Sequence, residues 1–152
     1  MVGLAIVGFG SIGREHASSI VKLSEAELVG VYDVSYEARR LAREKYGVKS
    51  YGNLEELLRD PSVDGVVVCT PPYTHAEICS KAAQAGKHVF CEKPLTASWD
   101  DALKLRDVVR SSGIKFMTGF VLRYFPVYVE VEKLLSTGKL GKVYSVLLTD
   151  AG

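Results

Sequence analysis

Residues 4–13 read LAIVGFGSIG, in which an apolar run leads directly into three glycines at the spacing GxGxxG. The run is typical of a buried strand, and a helix is expected to begin near Ser11. In such a unit the first glycine permits a tight turn, the second lets a ligand approach, and the third allows close helix packing. The helix N-terminus offers unpaired N–H groups to phosphates. The predicted pyrophosphate site consists of Gly8, Phe9, Gly10, Ser11, Ile12 and Gly13. A strand–helix turn that binds nothing is the alternative.

Short apolar runs alternate with helical patterns through most of the chain. The expected strands are Leu4–Val7, Leu28–Tyr32, Gly65–Cys69, His88–Cys91 and Lys115–Thr118, with a further short strand near Lys49–Tyr51. The expected helix starts are Ser35, Asn53 and Ser98, and the expected helix ends are Gly47, Gly86, Gly113 and Gly138. Near-continuous hydrophobicity indicates strands that are covered on both faces. The alternation therefore predicts an α/β protein with a doubly wound, mostly parallel sheet, the Rossmann fold.

The pattern changes after Gly119. Residues 126–137 resemble a helix, and residues 142–149 alternate like a strand with one apolar face. We predict a Rossmann domain over residues 1–122, followed over residues 123–152 by the first helix and strand of a truncated α/β domain for substrate binding or oligomerisation. An unpaired strand edge favours pairing with another chain. A homo-oligomer formed through residues 124–152 is therefore expected.

Composition excludes several classes of function. The 152 residues carry a net charge of +1, which gives no basic footprint for nucleic acid and no basic patch for a membrane surface. No apolar run approaches the roughly 20 residues that span a bilayer. Three cysteines, an odd number without metal-ligand spacing, predict buried thiols in a reducing, cytoplasmic setting and no metal site. One reactive thiol at a strand end is the alternative.

Asp33 ends the second predicted strand, about 20 residues after the last glycine of the motif. A carboxylate at this position accepts hydrogen bonds from the adenosine ribose hydroxyls and repels a 2′-phosphate. Asp33 therefore favours NAD over NADP as the cofactor. Arg39 and Arg40, which would favour a phosphate, fall within the next helix and are expected on its solvated face. The alternative role for Asp33 is to cap that helix.

Three further polar segments follow predicted strands and are expected at the same edge of the sheet, where open α/β sheets bind ligands. They are Thr70-Pro71, Glu92-Lys93-Pro94 and Thr118-Gly119. His75 follows the first of them. It could contact the cofactor, or it could be an ordinary residue in the first turn of a helix, and the sequence does not distinguish these two roles. Lys93 would lie near the nicotinamide, where a lysine can hydrogen-bond a substrate oxygen and take part in proton transfer. Glu92 would hold it, and a solvated Lys–Glu pair is the alternative.

The segments GFGSIG, VYD, TPPYTHAEI, AGKHVFCEKPLT and GFVLRYFP resemble, in this order, the Gfo/Idh/MocA oxidoreductase family. The resemblance implies an N-terminal Rossmann domain that binds NAD or NADP. It places contact with substrate and cofactor on Lys93, beside Glu92 and a proline whose peptide bond is often cis. It also places Arg123 near the cofactor and the domain junction. Members oxidise or reduce sugars, polyols and related small hydroxy or carbonyl compounds.

The chain departs from that family in its extent. Members carry a second α/β domain with further catalytic residues, typically an aspartate and a histidine beyond position 152. The three histidines here, His16, His75 and His88, all belong to the Rossmann part. We therefore expect the cofactor-binding half of an NAD-dependent dehydrogenase that acts on CH–OH groups of a small-molecule substrate. The alternative is a non-catalytic NAD(H)-binding module with a regulatory or assembly role.

Overall fold

The computed structural model describes residues 1–147, within which six strands alternate with six α-helices. In chain order these are β1 Val2–Val7, α1 Ser11–Ile20, β2 Ala26–Tyr32, α2 Tyr36–Tyr46, β3 Lys49–Ser50, α3 Leu54–Arg59, β4 Gly65–Val68, α4 Pro72–Gln84, β5 His88–Cys91, α5 Trp99–Ser112, β6 Phe116–Thr118 and α6 Pro126–Ser136. The chain divides into two compact units, Met1–Gly119 and Phe120–Gly152. None of the helices within residues 1–147 is long and apolar enough to cross a membrane.

The six strands form one sheet in the order β3-β2-β1-β4-β5-β6. Every neighbouring pair in this sheet is parallel, so the predicted doubly wound sheet is confirmed and contains no antiparallel strand among the described residues. Ala5 on the central strand β1 lies between Gly30 on β2 and Val66 on β4. Because the strands are parallel, all their carboxyl ends meet at one edge.

Helices cover both faces of the sheet, which explains the unbroken apolar runs. Val66 and Val68 point into one core cluster, whereas Val67 between them points into the other. The first cluster is completed by buried side chains of α3, α4 and α5, among them Leu57, Ala82 and Leu105, and the second by Ala17 of α1 and Ala42 of α2. Alternate residues of one strand therefore meet different helices.

Helix boundaries follow the capping signals in the sequence. The side chains of Ser35, Asn53 and Ser98 each accept a hydrogen bond from the backbone N–H three residues later, as predicted. Gly47 and Gly113 follow α2 and α5 in the left-handed conformation, with φ of 67° and 70°. The loops at both sheet edges thus start and stop where the sequence indicated.

The second unit carries the predicted helix, observed as α6, after a turn of 3-10 helix over Val121–Tyr124. The predicted strand is wrong over residues 142–147, which form no strand, and its last residues lie outside the described part of the chain. A strand needs a neighbour to satisfy its N–H and C=O groups, and residues 120–147 contain no other strand. The alternation of apolar and polar side chains was therefore not sufficient to predict a strand here.

A polar network joins the end of β3 to the turn after α3. Asp60 accepts hydrogen bonds from Lys49 Nζ at 2.8 Å, from Ser62 Oγ at 2.6 Å and from the Tyr51 hydroxyl at 3.1 Å. The Lys49 ammonium, followed by the Ser62 hydroxyl and N–H, holds the pKa of Asp60 well below its usual range. Burial, and then the Asp60 carboxylate, raise the pKa of Tyr51 to about 12. The network therefore stabilises the folded chain when Asp60 is ionised.

Replacing Asp60 with asparagine is expected to lower the free energy of unfolding near neutral pH by about 1–2 kcal/mol, since hydrogen bonds to a charged group contribute roughly that much. The folded-state pKa of Asp60 is depressed below an unfolded value of about 3.9, so its contribution is present above that pH. It is lost as the pH falls through the folded-state pKa. The difference between the unaltered chain and Asp60→Asn should therefore shrink in acid.

Urea unfolding near neutral pH and at about pH 3 measures this difference. Asp107→Asn is the matched control, because Asp107 lies exposed on α5 and, within the described part of the chain, pairs only with its neighbour Arg106. A difference between Asp60→Asn and the unaltered chain that stays constant with pH would count against the assigned ionisation.

Candidate functional site

The loop after β1 is closed tightly by its first and third glycines. Gly8 has φ of +94°, and a Cβ there would lie 2.8 Å from the carbonyl carbon of Cys69 on the neighbouring strand end. A Cβ on Gly13 would collide with the carbonyl oxygen of Gly8. Both positions therefore require glycine, the first for its conformation and the third for the close approach of α1 to the loop.

Gly10 stands in open space at the N-terminus of α1. Among residues 1–147, a Cβ built there would have no heavy atom within 4 Å apart from its chain neighbours, and no side chain caps the helix. The first N–H groups of α1 are thus directed to an open region without a side-chain acceptor. An uncapped helix N-terminus with room in front of it is suited to bind phosphate through backbone N–H groups and the helix dipole.

A cavity of about 640 Å³ opens at this edge of the sheet. Of the predicted cofactor residues, its lining includes Gly8, Gly10, Ser11, Ile12, Asp33, Thr70 and Pro71. Glu55 of α3 and Lys81 of α4 line it as well, and their side chains approach within 3.5 Å of each other. The sheet edge thus brings together most of the residues that the sequence assigned to a dinucleotide.

Two of the predicted loop residues, Phe9 and Gly13, are buried behind the cavity lining. The Phe9 side chain is buried, with its ring edge-on to Tyr46 of α2 at 6.3 Å between centroids. Its backbone N–H donates to Asp33 Oδ2 at 2.6 Å. Gly13 is buried under the loop as the packing point of α1. These residues hold the loop in shape and do not line the cavity.

Asp33 lines the cavity at the end of β2 and is fixed by two backbone groups. Besides Phe9, the N–H of Ser35 donates to Oδ1 at 2.8 Å. Ser35, and not Asp33, caps α2, which removes the capping role as the alternative. Each carboxylate oxygen has a second lone pair, so the group can still accept bonds from a ribose diol.

The two arginines of α2 behave differently from each other. Arg40 is solvated, as predicted, and pairs with Glu37 and Glu44 at 3.0 Å. The prediction for Arg39 was wrong: it is half-buried, and its guanidinium turns back to donate to the carbonyl oxygens of Asp33 and Val34. A cation thus lies against the backbone carbonyl of Asp33, the residue whose carboxylate would bind the ribose.

His75 of α4 is almost completely buried, with 1% of its surface exposed. Its Nε2 lies 2.7 Å from the carbonyl oxygen of Thr70 and its Nδ1 lies 2.9 Å from that of Pro94. Each nitrogen faces a carbonyl oxygen, which only accepts, so the nitrogen that carries the hydrogen donates; the ring is absent from the cavity lining. His75 therefore has a structural role: it connects Thr70, which follows β4 and lines the cavity, to Pro94, which follows β5.

Lys93 follows β5 at the same edge, and its peptide bond to Pro94 is cis. The Lys93 side chain is exposed, and its amine forms no ion pair with Glu92 within residues 1–147. Glu92 instead accepts from His16 Nε2 at 2.8 Å and from the Lys93 backbone N–H at 3.1 Å. The solvated Lys–Glu pair is therefore not formed, and Glu92 holds Lys93 through the backbone.

His16, the partner of Glu92, was not among the residues predicted from the sequence. The two residues lie 76 positions apart, so no local pattern links them. Its place on the helix that follows the glycine motif was the one available signal. Arg123 belongs to the second unit, in the turn of 3-10 helix, and is exposed.

The three thiols are free, and Cys79 and Cys91 are buried. Burial, and then the charge of Glu92, raise the pKa of Cys69 to about 12. Contact with Cys91, followed by burial, raises the pKa of Cys79 well above its usual range. Because the thiolate is the reactive form, the shift at Cys69 argues against a reactive thiol at the end of β4.

Comparison with known proteins places these features in a family. Residues 2–120 match the model of the Gfo/Idh/MocA oxidoreductase family with an NAD-binding Rossmann fold. The chain is 33% identical over 147 residues to myo-inositol 2-dehydrogenase of Thermotoga maritima, across 96% of this chain and 44% of the relative.

Two solved structures are similar to the chain at 28% identity over 93% of its length. One is scyllo-inositol dehydrogenase from Lactobacillus casei with bound NAD(H) and scyllo-inositol, with a TM-score of 0.89 over 43% of that protein. The other, from Desulfitobacterium hafniense DCB-2, is named for a proposed NADPH dependence, with a TM-score of 0.90 over 41% of that protein. The chain thus spans less than half the length of each relative. Because the family model matches nearly all of the first unit, the chain belongs to the Gfo/Idh/MocA family of oxidoreductases.

Proposed function

We propose that this chain supplies the cofactor-binding half of an NAD-dependent oxidoreductase. The reaction would move a hydride between nicotinamide and a hydroxyl-bearing carbon of a sugar, a polyol or a related small hydroxy or carbonyl compound. The observation that carries the proposal is the cavity at the uncapped end of α1, open in front of Gly10 and lined by Asp33. The inositol dehydrogenases among its relatives support polyols within the substrate class.

Each group at the sheet edge has a role in this proposal. The N–H groups at the start of α1 bind the pyrophosphate, and Asp33 accepts from the adenosine ribose hydroxyls. When bound, the nicotinamide supplies the hydride chemistry. Lys93 hydrogen-bonds the substrate oxygen and takes part in the transfer of its proton. In this proposal residues 1–122 are the cofactor domain, and residues 123–152 begin a second domain for substrate binding or oligomerisation.

The proposal is tested by turnover with a panel of sugars and polyols. The 152-residue chain should bind cofactor and show no measurable turnover, since positioning a substrate against the nicotinamide needs further residues. A form as long as its relatives should oxidise or reduce at least one compound of the panel. Cofactor binding without turnover in that longer form would favour the alternative, a non-catalytic NAD(H)-binding module.

Asp33→Ser is expected to narrow the difference in affinity between NADH and NADPH, which should favour NADH in the unaltered chain. The variant loses bonds to the ribose diol and also the repulsion of a 2′-phosphate. The ratio of the NADPH and NADH dissociation constants should fall about tenfold, which corresponds to the loss of one hydrogen bond to a charged group. Calorimetric titration with both cofactors measures the change.

Arg39→Ala is the companion variant for this experiment. Its guanidinium lies against the carbonyls of Asp33 and Val34, where a 2′-phosphate would approach. Its removal should weaken NADPH binding and leave NADH binding almost unchanged. Equal affinities of the unaltered chain for the two cofactors would show that the assignment of Asp33 is mistaken.

We also propose a homo-oligomer that involves residues 124–152. The described part of this segment exposes many large apolar side chains, among them Tyr124, Phe125, Val127, Tyr144 and Leu147. Large apolar side chains exposed in such number are candidates for burial in an interface. Sedimentation of the unaltered chain should give at least a dimer. A variant with Phe125 and Val127 replaced by serine should shift toward the monomer, and a monomeric unaltered chain would refute this expectation.

A further inference from the structure

His16 and Glu92 form a contact that the proposed cofactor site does not use directly. The His16 side chain is 26% exposed and that of Glu92 is 19% exposed, so the pair is largely shielded from solvent. A carboxylate only accepts, so Nε2 of His16 donates to Oε1 of Glu92 over 2.8 Å. The imidazole also packs edge-on against Phe90, with 5.3 Å between centroids. Two contacts therefore fix the ring.

The second carboxylate oxygen of Glu92 leads to Lys93. Oε2 accepts from the Lys93 backbone N–H at 3.1 Å, so one carboxylate joins α1 to the backbone of the lysine. The end of β6 confines the same group, because a Cβ on Gly119 would lie 3.1 Å from Oε1. With α1, β5 and β6 around it, the carboxylate has little room for another position.

The other side of the turn is held by the second histidine. Nδ1 of His75 lies 2.9 Å from the Pro94 carbonyl oxygen, and the ring is buried in α4. Lys93 therefore sits between two fixed points, the Glu92 carboxylate before it and the Pro94 carbonyl after it. Its own side chain is exposed, so the reach of its amine depends on where the backbone is held.

We propose that His16 is a positioning residue for Lys93 and acts through the carboxylate of Glu92. His16 extends from the same helix whose N-terminus faces the proposed pyrophosphate, so the contact ties the lysine to the part of the fold that binds the cofactor. His16 itself does not line the cofactor cavity. The inference rests on the proposed function for the meaning of Lys93, but the contact itself can be tested without turnover.

The experiment compares three variants of the 152-residue chain. His16→Leu removes the donor, whereas His16→Gln retains an N–H group at a similar distance from the backbone. His88→Leu is the matched control, because this third histidine lies at the amino end of β5, where its Nδ1 accepts from the Lys115 N–H at 3.2 Å. Hydrogen exchange of individual amides, followed by NMR, reports the environment of the Lys93 N–H.

In His16→Leu the Lys93 amide should exchange about tenfold faster or more, as expected for the loss of one hydrogen bond to a charged acceptor. Amides in β1 and β4 should accelerate much less, because they respond only to the loss of global stability and not to the local contact. His16→Gln should restore most of the Lys93 protection, and His88→Leu should leave it unchanged. An unchanged Lys93 rate in His16→Leu, or an equal acceleration of all sheet amides, would overturn the proposal.

NADH affinity of the same variants separates this inference from the proposed function. His16→Leu should bind NADH within about threefold of the unaltered chain, since the donor removed touches no cofactor group and one lost bond would cost about tenfold. If the unaltered chain binds no NADH, the proposed function fails while the exchange rates still decide the role of His16. In a form as long as its relatives, His16→Leu should lower kcat and leave KM for NAD nearly unchanged. A fall in kcat accompanied by an equally large rise in the KM for NAD would contradict a positioning role for His16.

Discussion

Gly10→Ala is expected to remove most NADH binding while leaving the fold intact. Gly10 has φ of −70°, which alanine adopts readily, and in residues 1–147 its Cβ would meet no heavy atom within 4 Å other than those of its chain neighbours. The added methyl group would, however, occupy the open space where a pyrophosphate approaches the start of α1. Loss of one or two charge-assisted hydrogen bonds predicts about 10- to 100-fold weaker binding. The free energy of unfolding should change by less than about 1 kcal/mol.

Two other glycines provide the controls for this prediction. Gly13→Ala places its Cβ against the Gly8 carbonyl oxygen, so it should lose both NADH binding and about 1–3 kcal/mol of stability through overpacking. Gly52→Ala meets only the Glu56 carboxylate at 3.4 Å and should change neither property. Calorimetry and urea unfolding measure the two quantities. Undiminished NADH binding by Gly10→Ala would mean that the phosphates lie elsewhere.

Lys93→Ala is expected to lower turnover by about 100- to 10,000-fold, the usual contribution of a positioned proton-transfer group. The measurement needs a form of the protein as long as its relatives, assayed with the best substrate from the panel. NADH affinity should remain within about tenfold, because the phosphate and ribose contacts come from other strand ends. Turnover should therefore fall far more than cofactor affinity.

Lys115→Ala is the matched control for this effect. Lys115 is exposed and immediately precedes β6, at the opposite edge of the sheet from Lys93. Its removal should leave turnover within about twofold, as for a surface substitution away from the site. Comparable activity of Lys93→Ala and Lys115→Ala would eliminate Lys93 as the catalytic residue.

The parts of the fold that depend on neighbouring residues were predictable from the sequence. The strand over His88–Cys91 and the caps Ser35, Asn53 and Ser98 were placed correctly, because apolar runs and local hydrogen bonds specify them. The shared edge of Asp33 and Thr70 followed from topology, since parallel strands bring their carboxyl ends together.

Contacts between distant elements could not be predicted in this way. The His16–Glu92 pair joins residues 76 positions apart, and the bonds of His75 depend on where the Pro94 carbonyl lies. The bond from Arg39 to the Asp33 carbonyl at the end of β2 depends on the side-chain rotamer of Arg39, which helical periodicity does not determine. The incorrect strand after Lys142 has a different cause, because a strand forms only where another strand can pair with it.

Titration of the 152-residue chain with NADH by calorimetry shows whether this edge of the sheet binds a dinucleotide. We expect saturable binding of one NADH per chain, weaker binding of NADPH, and loss of both in Gly10→Ala but not in Gly52→Ala. A folded chain that binds neither cofactor, or binds both equally in Gly10→Ala and in the unaltered form, would contradict the assignment of this sheet edge to a dinucleotide.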